Sequence, residues 1–128
     1  MTTKRLCGLA AVSITVLAQP AFGQDAANGE DLFKKCHVCH DVGADAKNKI
    51  GPRLHGVFGR KAGTVEGFKY SEAMLEAGVK GLEWNEEAVG KYLENPRAFV
   101  PGNKMAFPGL KAEADRKDVI AYLLSSTR

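Results

Sequence analysis

These 128 residues lack several things: a strong charge of one sign, internal repeats, low-complexity tracts, and an apolar run long enough to span a bilayer comfortably. The basic excess, 18 residues against 15 acidic, shrinks once the first stretch is set aside. Lys4 and Arg5 open that stretch, Leu6 to Ala18 is almost uninterruptedly apolar, and Pro20-Ala21-Phe22-Gly23 ends in the small-x-small pattern of a signal-peptidase site. The expectation is a cleaved signal peptide over residues 1–23 and a working domain over 24–128, in the periplasm and with no permanent membrane anchor. Cleavage removes 23 of the 128 residues and leaves 105, with 16 basic and 15 acidic residues and a net charge of +1. A balance so near zero gives no reason to expect nucleic acid as a partner.

Cysteine is equally sparse. Cys7 leaves with the leader, and it sits too early in the apolar run to be a lipid-modified cysteine, so only Cys36 and Cys39 remain. A domain of about 105 residues buries only a modest core, and such domains often need a disulfide, a metal or a cofactor to make up the shortfall.

What the sequence does contain reads as one all-α domain. Ala27 to Cys39 has Leu32 and Phe33 on one side and Glu30, Asp31, Lys34 and Lys35 on the other, the pattern of a first helix. Gly43 to Gly67 is glycine-rich and aperiodic, a long loop that needs an object to pack on. Ser71 caps a short helix expected to run to Ala77 and stop at a left-handed Gly78. Asn85 caps another, ending before Pro96, with Ala88, Val89, Tyr92 and Leu93 on one face. Glu113 to Ser125 is the last, burying Val119, Ile120, Leu123 and Leu124. Between these two, Phe99 to Gly109 carries too much proline and glycine for regular structure but is apolar enough to pack inward.

The chemistry lies in Cys36-His37-Val38-Cys39-His40, a C-x-x-C-H pattern. On a helical turn two thiols at this spacing lie on one side, where each can add across a vinyl group of haem, and the imidazole of His40 is then held beneath the iron as proximal ligand. The cofactor expected is one covalent haem c, and its binding contributes to folding as a structural metal does. A thiol-exchange motif would want a βαβ setting that is absent, and tetrahedral zinc would crowd three or four ligands into five residues.

A single-electron carrier works best with iron capped on both faces. The thioethers available are Met74 and Met105, and the imidazoles are His37 and His55. Met74 lies at helical spacing, where methionine is more often core filler. Met105 lies in a rigid loop between Pro101 and Pro108 and is the preferred distal ligand. His37 is expected to face solvent, and His55 to be a surface or supporting residue.

Several further stretches carry a family resemblance: Gly51-Pro52-Arg53-Leu54-His55-Gly56, Phe58-Gly59-Arg60-Lys61, Tyr92-Leu93-Glu94-Asn95-Pro96 and Pro101-Gly102-Asn103-Lys104-Met105. With the C-x-x-C-H pattern and in this order, they make the chain resemble class I cytochromes c of the mitochondrial and bacterial cytochrome c2 type. The resemblance implies a small cytochrome c fold of three to five helices, with long loops wrapped around the haem. It implies that the Pro52 carbonyl orients His40, that Arg60, Tyr70 and Trp84 engage the haem propionates, and that Tyr92 lines the haem site. It implies that Gly29, Phe33 and Tyr122 form the crossing of the first and last helices.

Two positions depart from the family pattern: Met74 stands where many members carry asparagine, and Asn103 replaces a common threonine. The function implied is electron shuttling by a monomer, not enzymatic catalysis. Its partners would be a cytochrome bc1 complex and either a cytochrome c oxidase or a photosynthetic reaction centre. The competing reading is a haem enzyme or gas sensor with an open distal site. The resemblance also places Lys35, Lys49, Arg97, Lys104 and Lys111 around the haem edge, with Glu30, Asp31, Asp115 and Asp118 away from it.

Overall fold

The structure, a computed structural model, describes residues 24–128, so the leader read at residues 1–23 lies outside the described residues. Five helices follow in order: α1 (Ala26–Phe33), α2 (Glu72–Val79), α3 (Glu86–Glu94), α4 (Pro96–Phe99) and α5 (Glu113–Ser126). Pairing of β type is limited, among the described residues, to one isolated bridge between Lys61 and Glu83. The all-α expectation is met.

The first and last helices form the frame. Asp25 caps α1 by accepting from the backbone N–H groups of Ala27 and Asn28 at 3.0 and 3.1 Å, which satisfies donors that have no partner inside the helix. Asp118 on α5 then accepts from the Asp25 N–H and the Asn28 amide, both at 2.7 Å. The two backbones approach so closely at Gly29 that any side chain there would overlap the Asp118 carbonyl. Phe33 and Tyr122 pack beside this contact as tilted rings with centroids 5.2 Å apart. Gly29→Ala in the assembled protein should therefore cost about 1–3 kcal/mol, the usual penalty for overpacking. An unchanged midpoint in denaturant would contradict the crossing. Below it the core gathers Phe33, Val89, Leu93, Val100, Leu110, Val119, Ile120 and Leu123, all buried.

Three boundaries differ from expectation. The first helix ends at Phe33 and does not run on to Cys39. From there the chain turns with mixed bonds: the Phe33 carbonyl accepts from Cys36 N–H at 2.8 Å and His37 N–H at 3.0 Å, and the Cys36 carbonyl from Cys39 N–H at 3.0 Å and His40 N–H at 2.8 Å. The attachment segment is thus two successive turns, the first closing on the Phe33 carbonyl and the second on that of Cys36.

The second difference is in α2, which begins at Ser71 as expected, the hydroxyl accepting from Met74 N–H at 3.2 Å, but continues through Gly78. Gly78 is helical; the Ala62 carbonyl occupies the space its side chain would need, and the left-handed residue is Gly81, at φ 102°. The third is α4, which was not expected. Pro96 does stop α3, yet it also serves as the first residue of α4, while Asn95 caps the new helix by accepting from Ala98 N–H at 3.2 Å.

Candidate haem site

The attachment turn brings together the residues the motif singled out. Cys36 and Cys39 are free thiols, both half-buried. Burial pushes the Cys36 thiol up from its ordinary range, with a smaller push from Cys39 and an opposing pull from Lys35. The His40 N–H donates to the Cys36 carbonyl at 2.8 Å, closing the turn.

His40 Nδ1 lies 2.8 Å from the Pro52 carbonyl. A carbonyl only accepts, so Nδ1 carries the proton and Nε2 keeps the lone pair that a metal needs. Burial lowers the His40 pKa, which favours this neutral form over the competing effect of the Pro52 bond. Gly51, between them in the chain, donates its N–H to the Cys39 carbonyl at 2.8 Å. Any side chain on Gly51 would overlap the His40 ring. Its glycine was legible in the sequence; its reason, an imidazole lying flat against the backbone, was not. Two free thiols across one turn and an oriented imidazole with Nε2 available are what a covalent haem requires, so the residues fit the group. Among the described residues, no group of three or more His, Cys, Asp or Glu side chains is placed to hold a metal ion.

Met105 lies on the loop between α4 and α5, half-buried and packed against the core. Its N–H donates to Asn103 Oδ1 at 2.8 Å, and the Tyr92 hydroxyl reaches the same oxygen at 3.3 Å. Burial pushes the Tyr92 phenol up to about 12, so it stays protonated at any ordinary pH. Met74, the other thioether, is buried in the core on α2, as filler would be.

Arg60 and Trp84 are held side by side by backbone pairing: Trp84 N–H to the Arg60 carbonyl at 2.9 Å and Gly59 N–H to that of Trp84 at 2.7 Å. The Arg60 guanidinium donates to the carbonyls of His55 and Arg53 at 3.0 and 3.2 Å. Its partial burial lowers its pKa and the neighbouring Tyr70 phenol raises it. Tyr70 itself accepts from Val65 N–H at 3.2 Å through its hydroxyl oxygen. Trp84 packs at a tilt on Tyr92 with centroids 5.1 Å apart, and Tyr92 meets Phe99 edge-on at 6.2 Å. The implied propionate residues are therefore linked through Tyr92 to the Met105 loop.

The two remaining histidines differ in setting. His37 is exposed, as expected, its Nδ1 3.1 Å from the His40 carbonyl oxygen. His55 is half-buried, and its Nδ1 is enclosed without a partner.

Comparison with known proteins agrees with this geometry. Residues 26–127 match the cytochrome c family. The chain is 52% identical over 107 residues to a cytochrome c of Gibberella zeae, covering 83% of this chain and 98% of that one. It is 51% identical to a cytochrome c2 of Blastochloris viridis, covering 81% and 80% of the two chains. The solved structure of cytochrome c2 from Rhodospirillum centenum superposes with a TM-score of 0.77 at 44% identity, covering 81% of this chain and 99% of that one.

Proposed function

Because the chain belongs to the cytochrome c family and carries covalently attached haem c, we propose that it is a periplasmic, monomeric electron shuttle. Its donor would be a cytochrome bc1 complex, and its acceptor a cytochrome c oxidase or a photosynthetic reaction centre. The observation that carries this reading is the pairing of an oriented imidazole, His40 bound through Nδ1 to Pro52, with a thioether on a pinned loop, Met105. Haem supplies the one-electron iron couple, and the chain's part is to hold the iron from both sides so that oxidation changes charge without changing ligands.

Pro52 fixes the tautomer and ring direction of His40. With haem bound, Arg60 would offset the negative charge of the propionates and Tyr70 and Trp84 would offer them hydrogen bonds, while Tyr92 connects that end to the distal loop. Among the described residues, no helix is long and apolar enough to cross a membrane.

Partner docking rests on charge distribution. Lys35, Lys49, Arg97, Lys104 and Lys111 are all exposed, and beside the attachment turn Val38 and Ile50 are exposed by 68% and 76%. On the frame helices two of the four acids are engaged locally: Asp31 pairs with Lys34 at 2.6 Å and Asp118 accepts from Asn28 at 2.7 Å. A basic ring around an apolar centre would steer an acidic partner to the haem edge and raise the encounter rate without a tight complex.

Electron-transfer rates with a bc1-type complex or an oxidase should fall steeply as salt shortens the Debye length to about 8 Å. Lys104→Glu or Arg97→Glu should slow the reaction far more than Lys117→Glu, whose lysine sits on α5 paired with Glu113 at 2.8 Å. Equal effects at the three positions, or rates indifferent to salt, would remove the docking ring from this reading.

A further inference from the structure

The loop carrying Met105 has no regular structure of its own, yet one side chain inside it is fully engaged. Asn103 Oδ1 accepts from Met105 N–H at 2.8 Å and from the Tyr92 hydroxyl at 3.3 Å. Its Nδ2 donates to the carbonyls of Pro96 and Val100, both at 2.8 Å. A primary amide has two acceptor sites and two donor hydrogens, and all four are used here. The partners also fix which end is which: a backbone N–H must meet oxygen and two carbonyls must meet nitrogen, so the amide cannot be turned over. Those carbonyls belong to the first residue of α4 and the residue just after it, and Tyr92 belongs to α3. One side chain thus ties the Met105 backbone to both helices that precede the loop.

We propose that Asn103 is the positioning residue of the distal side, holding the Met105 loop closed and engaging the Tyr92 hydroxyl in doing so. This rests on Met105 being the distal ligand. No residue of similar size offers the same connections. Threonine has one donor and is shorter, aspartate turns a negative oxygen toward two carbonyls, and alanine leaves all four partners without it. Opening the loop is the step by which an outside ligand would displace the methionine, so loss of Asn103 lowers the cost of that opening. Asn103 touches no reacting atom; it acts through Met105.

Titration of the oxidised holoprotein with imidazole reads the opening directly. Asn103→Ala and Asn103→Asp should each bind imidazole about tenfold to hundredfold more tightly than the unaltered protein, the weight of one or two part-buried hydrogen bonds. Asn103→Thr should fall between, and it serves where the alanine variant does not assemble. Asp25→Ala removes the α1 cap, worth about 1 kcal/mol of overall stability, far from this loop. It should stay within about twofold of the unaltered protein in imidazole affinity, which separates positioning from general destabilisation.

Unchanged affinity in all three Asn103 variants, or an equal rise in Asp25→Ala, would overturn the proposal. Met105→Ala isolates the premise. If it binds imidazole no more tightly than the unaltered protein, the ligand assignment fails; if it binds far more tightly while the Asn103 variants do not, only the role of Asn103 fails.

Discussion

Cys36→Ala or Cys39→Ala should sharply reduce the yield of haem-bearing protein, and the double variant should give almost none. The core explains why the loss is large. It mixes large side chains such as Phe33, Trp84 and Leu93 with small ones such as Ala62 and Ala88, but a domain of this size buries too little apolar surface to hold its fold comfortably alone. Cofactor binding therefore enters the folding free energy directly. The two thiols sit in tight turns closed by the His40 N–H to Cys36 carbonyl bond at 2.8 Å, so losing one thioether weakens the hold on haem and the placing of His40 together. The measurement is holoprotein yield from the absorbance of purified material. Recovery of the double variant at the unaltered level would remove the attachment claim.

The second large effect belongs to Met105→Ala. Haem should stay attached through Cys36 and Cys39, while the far-red methionine-to-iron band disappears, the reduction potential falls and carbon monoxide binds at neutral pH. This variant also separates the electron shuttle from a haem enzyme or gas sensor. A shuttle resists carbon monoxide until its distal thioether is removed, whereas an open site binds it from the start. If Met74→Ala produced these changes instead, the ligand would be the methionine buried on α2.

Legibility followed the range over which each signal acts. Ser71 and Asn85 were readable as helix starts because a cap is a contact between residues three apart, and both side chains accept as the rule requires. The end of α5 was legible to within one residue because its buried residues, Val119, Ile120 and Leu123, cluster in its last two turns. Gly78 was misread because a glycine has two uses, left-handed backbone and close approach, and only the position of Ala62, distant in sequence, tells them apart. The start of α4 at Pro96 was missed because proline ends one helix and opens another with equal ease.

In the site, the motif located Cys36, Cys39 and His40, and the fold brought the Pro52 carbonyl to His40. Asn103 was visible only as a departure from the family pattern. Its bonds to Met105 and Val100 are local, two residues on and three back, but Tyr92 and Pro96 lie on α3 and α4, and no spacing rule predicts that they meet it.

The crossing at Gly29 joins the two ends of the chain, since Asn28 and Asp118 are 90 residues apart in sequence. Closing a flexible ring of that length costs about 4 kcal/mol in chain entropy. A cofactor fixed to the chain near one end and liganded by Met105 near the other would gather the middle first. That shortens the free length between the terminal helices about fourfold and removes about 1 kcal/mol of the closure cost. The frame would then close over a shorter free chain in the holoprotein, so that haem attachment would bear on chain closure as well as on packing.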